Sequence, residues 1–416
     1  MQRDAAARTS VWPRVALISL GGFFEFYDIF FAGYIAPGLV RSGILAPTGI
    51  AGFVAAMFSG LFVGTALVSF LADRFGRRVI FTYSLLWYTV ASVIMAFQHD
   101  AFGLNLWRFI SGIGVGVELV TIDTYISELV PSNLRGRAFA VNQAIQFCAV
   151  PVVALLAWLL VPRDPLGIDG WRWVVLLGAT GAILVWWIRR RVPESPRWLA
   201  LHALGKNNVS VGLPRGSFAE MWRPPYRTRS VMLIIFNLFQ TVGFYGFSNW
   251  VPTLLINRGI AITSSLEYTF IIAIAAPFGP LAAAAIADRL ERKWQIVASA
   301  AAIAISGILF GQMTGAALLI FFGVLLTLAN NILSFSCHAY QAELYPTRIR
   351  ALAVGFVYSF SRISVVFSSF VIGFVLGRFG VPGVFALIAG SMLIVMLDIG
   401  LLGPRTNNLA LETISQ

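Results

Sequence analysis

Cysteine, histidine and charge are all scarce in this chain. Of its 416 residues two are cysteine and three are histidine, and charged residues make up 12% against 58% hydrophobic. The two cysteines, Cys148 and Cys337, each stand inside an apolar run, which excludes a disulfide framework, and three histidines without ligand spacing leave no metal site. So little charge, at a mean hydropathy of +0.81, excludes a soluble fold, which would lack the polar surface to cover itself. No phosphate-binding loop and no nucleophile paired with a base stand out, so nothing points to an enzyme, to nucleotide hydrolysis or to a bound cofactor.

What the chain has in quantity is apolar sequence in runs. A hydrocarbon core about 30 Å thick needs about 20 apolar residues per helix, and by that measure there are twelve runs, six on either side of a polar stretch at residues 190–229. The first, residues 14–39, is too long for the apolar part of a cleaved signal peptide and no small-residue cleavage site follows it, so it reads as the first span. The expected fold class is an all-α membrane protein with twelve transmembrane helices in two six-helix bundles, residues 1–189 and 230–416, joined by a linker at 190–229. The net charge of +12 would suggest nucleic acid in a soluble domain, but here the basic residues fill the short gaps between runs and imply no such partner. With Arg108 and Arg362 inside spans set aside, 23 Lys and Arg lie on the side of the termini. Only five, Arg41, Arg163, Arg172, Arg258 and Arg378, lie on the other side, so both termini and the linker are expected to be cytoplasmic.

The gaps also repeat. Asp73-Arg74-Phe75-Gly76-Arg77-Arg78 returns as Asp288-Arg289-Leu290-Glu291-Arg292-Lys293, and Glu128-Leu129-Val130-Pro131 with Arg135 returns as Glu343-Leu344-Tyr345-Pro346 with Arg350, both 215 positions on. One module is written twice, in the manner of parallel duplications of membrane bundles. Acids recur with the bases, and topology alone needs no acids. Asp73 with Arg77 and Arg78, and Glu128 with Arg135, therefore read as gating groups that pair at helix ends, hold one conformation closed and break when it changes. The second copy supplies Asp288, Arg292, Glu343 and Arg350.

Asp-Arg-x-Gly-Arg-Arg between spans 2 and 3, Arg108 with Gly112, Gly114 and Gly116 in span 4, and Pro193-Glu194-Ser195-Pro196-Arg197 after span 6 resemble the motifs of major facilitator superfamily transporters. The last of these and the doubled Glu-x-x-Pro-x-x-x-Arg resemble the sugar porter group and its relatives. Two positions depart from the pattern, Ser69 where a glycine is usual and Glu291 where the second copy's tight turn should have one. The resemblance implies a transporter acting by alternating access, a monomer in the inner (plasma) membrane that needs no cofactor. Over Phe24 to Gly38 the chain is also similar to bacterial niacin transporters and related metabolite and aromatic-acid proton symporters, which implies protons and a small solute such as nicotinate as partners.

Function is expected where charge is buried, since an ionisable side chain in hydrocarbon is costly and otherwise excluded. Asp28 lies fourteen residues beyond Arg14, about 21 Å along a helix, and shares a helix face with Glu25. A carboxyl there, protonated on one side of the membrane and released on the other, is what proton coupling requires, so Asp28 and then Glu25 are the candidates. Glu118 and Asp123 in span 4 are further ones, and Arg108 of the same span reads as structural or coupling-related. Arg362, in span 11, lies twelve residues past Arg350, about 18 Å deep, with no acid in its own span. It needs a carboxylate from another helix, Asp28 or Glu25 for instance, or an anionic ligand, and its planar fork suits a carboxylate either way. Tyr358-Ser359-Phe360-Ser361-Arg362-Ile363 also resembles the span 11 segment of organic-ion transporters, whose anion carriers tend to have Arg there.

Polar and aromatic groups surround these charges: Gln143 and Gln146 in span 5, Gln240, Tyr245, Asn249 and Trp250 in span 7, and Asn330, Asn331, His338 and Tyr340 in span 10. In lipid such groups must face one another or a wet cavity. Gln146, Gln240, Tyr245, Trp250, Asn330 and Asn331, with Tyr27 and Tyr358, are the candidate substrate contacts beside Arg362, and Tyr27, Tyr245 and Trp250 are suited to stack on a flat ring. Gln146 and Gln240 resemble the hydroxyl-binding glutamines of sugar porters, but the paired glutamines of span 7 are missing, which weighs against a sugar. The leading expectation is proton-coupled uptake of a small aromatic carboxylate, nicotinate first. The alternatives are another small metabolite, such as a sugar or organic ion, or a drug-efflux proton antiporter, whose Gly-Pro-rich fifth span is absent.

Overall fold

Apolar runs of this length leave the backbone one solution in lipid, the helix, because every N–H and C=O must find a partner within its own segment. The computed structural model describes residues 2–65, 75–130, 134–189, 194, 218–286 and 290–406, and among the described residues every regular element is helical. The chain divides into two compact units, residues 1–212 and 213–416.

In the first unit α1 (Gln2–Arg41), α2 (Ile50–Val63), α3 (Arg77–Ala96), α4 (Ala101–Leu129), α5 (Arg135–Phe147), α6 (Ala149–Leu160) and α7 (Gly170–Arg189) make six spans, α5 and α6 running on as one. Asp100 starts α4, its Oδ1 accepting from the N–H of Gly103 at 2.8 Å. The 29 residues of α4 then rise about 43 Å, enough to cross the hydrocarbon with tilt.

Helices α2 and α4 meet along a seam of glycines four residues apart. A Cβ at Gly60 would stand 2.0 Å from the Phe109 carbonyl oxygen and one at Gly64 2.1 Å from that of Ile113. From the facing helix, Gly112 and Gly116 approach the carbonyls of Met57 and Leu61 at 2.2 Å and 2.3 Å by the same measure. In lipid, where apolar burial gives helices no reason to associate, such close backbone approach supplies the packing energy. Gly114, off the seam, receives Trp87 and Tyr88 of α3, so Gly112, Gly114 and Gly116 all serve packing. The opposite flank of α1 is held by α7, where the bare backbone of Gly178 and Gly181 admits the rings of Tyr27 and Phe24. Val15, Ile18, Phe81, Ile122, Ile126, Val130 and Ala138 close an apolar core among α1, α3, α4 and α5.

In the second unit a 3-10 turn (Phe218–Trp222) precedes α8 (Tyr226–Ser248), α9 (Val251–Ile256), α10 (Ile262–Ala273), α11 (Phe278–Ile286), α12 (Arg292–Gln312), α13 (Ala316–Glu343) and α14 (Thr347–Leu402). Helices α10 and α11 form one span, Ile262–Ile286, interrupted by a turn that ends at Pro277, which has no N–H to give. The 56 residues of α14 are two spans: Gly380 takes φ +66 and ψ −167, and Pro382 opens the helix that follows. The second unit thus also has six spans, so the described residues hold about twelve in all, matching the twelve apolar runs of the sequence.

At one described position the two copies of the loop motif differ in backbone. Gly76, before α3, has φ +98 and ψ 150, a region closed to side chains, whereas Glu291, before α12, has φ −57 and ψ 126, which any residue adopts. The second copy does without the tight turn and uses its extra carboxylate, which accepts from the N–H of Thr406 at 2.9 Å.

Four of the five outlying arginines are engaged. Arg41 pairs with Asp164, and Arg172 with Asp169 at 3.1 Å. Arg163 donates to Leu159 O at 3.0 Å near the end of α6, Arg172 to Ala96 O at the end of α3, and Arg258 to the carbonyls of Phe310, Met313 and Gly311 at the end of α12. Three of them therefore satisfy the exposed carbonyls of helix C-termini, where a cation also meets the negative end of the helix dipole.

Candidate functional site

Asp28 of α1 sits in a polar cluster built by three helices. Its Oδ1 accepts from Ser92 Oγ of α3 at 2.7 Å, and its Oδ2 accepts from Arg108 Nη1 at 3.0 Å and Ser111 Oγ at 2.9 Å, both of α4. Arg108, 0% exposed, also donates from Nη2 to the main-chain oxygen of Asp28 at 2.7 Å, and its guanidinium lies 4.2 Å from the centre of the Phe31 ring. Three donors on one carboxylate, one of them a cation, make the arrangement in which a buried charge is retained. The cation that Asp28 holds within its own unit is Arg108. Protonation of Oδ2 would place an O–H against the Arg108 and Ser111 donors, so a proton competes there with the α1–α4 tie. Glu25, one turn earlier on α1, and Glu118 of α4 are both fully buried. The side chain of Asp123 lies outside the described residues.

Arg362 of α14 is 2% exposed. Its Nη1 donates to the Tyr245 hydroxyl of α8 and its Nη2 to the Tyr358 hydroxyl one turn earlier, both at 3.1 Å, and the guanidinium stands 4.8 Å from the centre of the Tyr358 ring. Phenol hydroxyls orient the fork without neutralising it. The Tyr358 hydroxyl also lies 3.2 Å from His338 Nε2 of α13, and His338 Nδ1 lies 2.7 Å from Ser334 O. Sequence reasoning placed His338 among the polar groups of its span but not at Arg362, because twenty-four residues and a loop separate the two. The i, i+4 spacing of Tyr358 and Arg362 is the local signal that was there to read.

Among the other expected contacts, Gln240, Gln146 and Trp250 are buried, Gln146 against the bare backbone of Gly22. Asn330 is buried, and neither atom of its amide makes a hydrogen bond among the described residues. Two expectations are corrected. Tyr27 is committed to packing, its hydroxyl donating to Val174 O at 2.6 Å and its ring seated on Gly178, which removes it as a stacking surface. Asn331 donates from Nδ2 to Ala276 O at 2.9 Å, satisfying a carbonyl freed where the α10–α11 span breaks.

At the loops, Arg292 Nη2 meets Glu343 Oε1 at 3.1 Å, joining α12 to α13. The pair links the two repeated motifs to each other, while Arg350, the base of the Glu343 motif, donates from Nε to Tyr345 O at 3.1 Å and closes the turn before α14. The N–H of Arg78 lies 3.2 Å from both carboxylate oxygens of Glu194, which caps the start of α3. Asp73 and Asp288 lie outside the described residues, as do the side chains of Arg77, Glu128 and Arg135.

Comparison with known proteins agrees with this architecture. Residues 15–208 match the family described as sugar (and other) transporter, and residues 262–409 match the major facilitator superfamily. A Bacillus subtilis (strain 168) protein named for metabolite transport, YyaJ, is 31% identical over 92% of this chain and 90% of its own length. The niacin transporter NiaP of Acinetobacter baylyi is 29% identical over 96% of this chain and 95% of its own length. Among solved structures, the xylose transporter XylE from E. coli in a partially occluded inward open conformation has a TM-score of 0.79 at 19% identity, covering 96% of this chain and 99% of that one. With twelve spans in two units and this likeness along nearly its whole length, the chain belongs to the sugar (and other) transporter family of the major facilitator superfamily, and is a multi-pass membrane transporter.

Proposed function

We infer that the protein is a monomeric, proton-coupled uptake carrier for a small aromatic carboxylate, nicotinate first, working by alternating access. The observation that carries this reading is Arg362, buried and aimed by the Tyr245 and Tyr358 hydroxyls, which offers a planar two-pronged donor to a carboxylate beside aromatic rings. The niacin transporter among its relatives fits the same chemistry. Asp28 is the proton carrier in this reading, because its proton and Arg108 compete for one oxygen. A sugar is the second reading, supported by the xylose transporter fold and by the buried Gln146 and Gln240. Purified protein in proteoliposomes with an imposed inward proton gradient decides between them. Radiolabelled nicotinate is expected to accumulate, with benzoate competing and nicotinamide and xylose not. Competition by xylose but not benzoate would transfer the assignment to a sugar.

A further inference from the structure

The hydrogen bonds that end at Ser334 have a direction that can be read from chemistry alone. Ser334 O is a carbonyl and can only accept, so His338 Nδ1, 2.7 Å away, must carry a proton. In a neutral imidazole the other nitrogen is then a bare acceptor, and the Tyr358 hydroxyl, 3.2 Å from Nε2, donates to it. Arg362 Nη2 has only protons to give, so it donates to the same hydroxyl oxygen at 3.1 Å. The chain therefore runs Arg362 to Tyr358 to His338 to Ser334, each group pointing its proton away from Arg362.

We propose that His338 is a proton-responsive positioning residue for the Arg362 anion site, turning the Tyr358 hydroxyl from a donor to His338 into a donor to a bound carboxylate. A proton taken from solution onto Nε2 converts that nitrogen from acceptor to donor. It then donates to the Tyr358 oxygen, and the phenol proton is released to a new acceptor. The new acceptor is the carboxylate on Arg362, so anion binding takes up one proton in the second unit. Position supports this: His338 is exposed on its helix, Tyr358 and Tyr245 are partly buried, and Arg362 lies beneath them. The groups facing the imidazole are Tyr358 and Arg362 of α14, with Tyr245 of α8 reached through Arg362, and Cys337 of its own helix, whose Sγ is 3.7 Å from Nδ1. The inference rests on the carboxylate reading above for its ligand, but not for its relay.

Two measurements on the full-length protein separate the cases. Without ligand, the ring resonances of isotopically labelled His338, one of three histidines, are followed against pH in the parent and in Tyr358→Phe. Loss of the O–H donor is expected to shift the titration of this histidine alone, and an unchanged titration overturns the proposal whatever the substrate. With nicotinate and benzoate as probes, affinity is then measured from pH about 5.5 to about 8, where an imidazole titrates. Affinity in the parent is expected to fall about tenfold as pH rises, and less than about twofold in His338→Gln. An equal slope in parent and His338→Gln also overturns the proposal. If neither probe binds the parent, the carboxylate reading fails, and the titration of His338 still decides the relay.

Discussion

Replacing Arg362 with lysine keeps one charge and loses the fork that spans Tyr245 and Tyr358, and alanine loses both. Nicotinate affinity is expected to fall in the order Arg, Lys, Ala, by about 2 to 5 kcal/mol for the full truncation, with nicotinamide weak throughout. Equal losses for acid and amide would discard the clamp. At Asp28 the Asn variant keeps size but strands Arg108, so uphill uptake should vanish and the unfolding temperature should drop, at a cost of about 3 to 5 kcal/mol. Adding Arg108→Gln should restore part of that stability, which a double-mutant cycle in thermal unfolding reads directly. Asp28, Arg108 and Arg362 were legible from sequence because charge inside an apolar run is conspicuous. Their partners were not. Tyr358 aside, which lies one turn from Arg362 on its own helix, which cation meets Asp28 and that the Tyr245 hydroxyl reaches Arg362 depend on how helices far apart in sequence are rotated against one another, and hydropathy is blind to that.

The spans themselves were legible, since twelve apolar runs in lipid can be little else, although α1 extends about three turns before its run. What periodicity hides is where a helix breaks. The turn inside the α10–α11 span lies within continuous apolar sequence and is marked only by Pro277, whereas the reversal at Gly380 falls in the gap between two runs, beside Arg378. Glycines of α2 and α4 make a graded test of packing. Alanine at Gly60 or Gly112 must push a methyl into a facing carbonyl and is expected to cost about 1 to 3 kcal/mol, whereas Gly52, with nothing within 4 Å of its added Cβ, should accept alanine with no loss or a small gain. Comparable unfolding temperatures for all three would remove the seam as a source of stability. The loop motif supplies a second contrast. Gly76→Glu, which writes the second copy's residue into the first, forces a side chain into φ +98 and is expected to cost about 1 to 3 kcal/mol. Glu291→Gly meets no such strain and loses the hold on the N–H of Thr406.

For the molecule as a whole, the split of 23 basic residues against five predicts that both termini face the cytoplasm, and reporter fusions at either end that fold and fluoresce only there would bear it out. A reporter active on the opposite face at either end would reverse the orientation. Of the five exceptions, Arg163, Arg172 and Arg258 are placed to close helix C-termini. Duplication was legible in full, because motifs 215 residues apart survive in plain text; the use of Glu291 and the Arg292–Glu343 pairing was not, because it arises where the copies have diverged. The glycine seam has a mechanical consequence. Backbone packed on backbone has no charge or proton that could release it, so α2 and α4 are welded, and must travel as one plank through any change of shape. Helix α1 is fastened to that plank at Asp28 by a clasp of charge and hydrogen bonds. Spin labels should therefore report one fixed distance between α2 and α4 in the parent and in Asp28→Asn alike, and a distance between α1 and α4 that lengthens in Asp28→Asn.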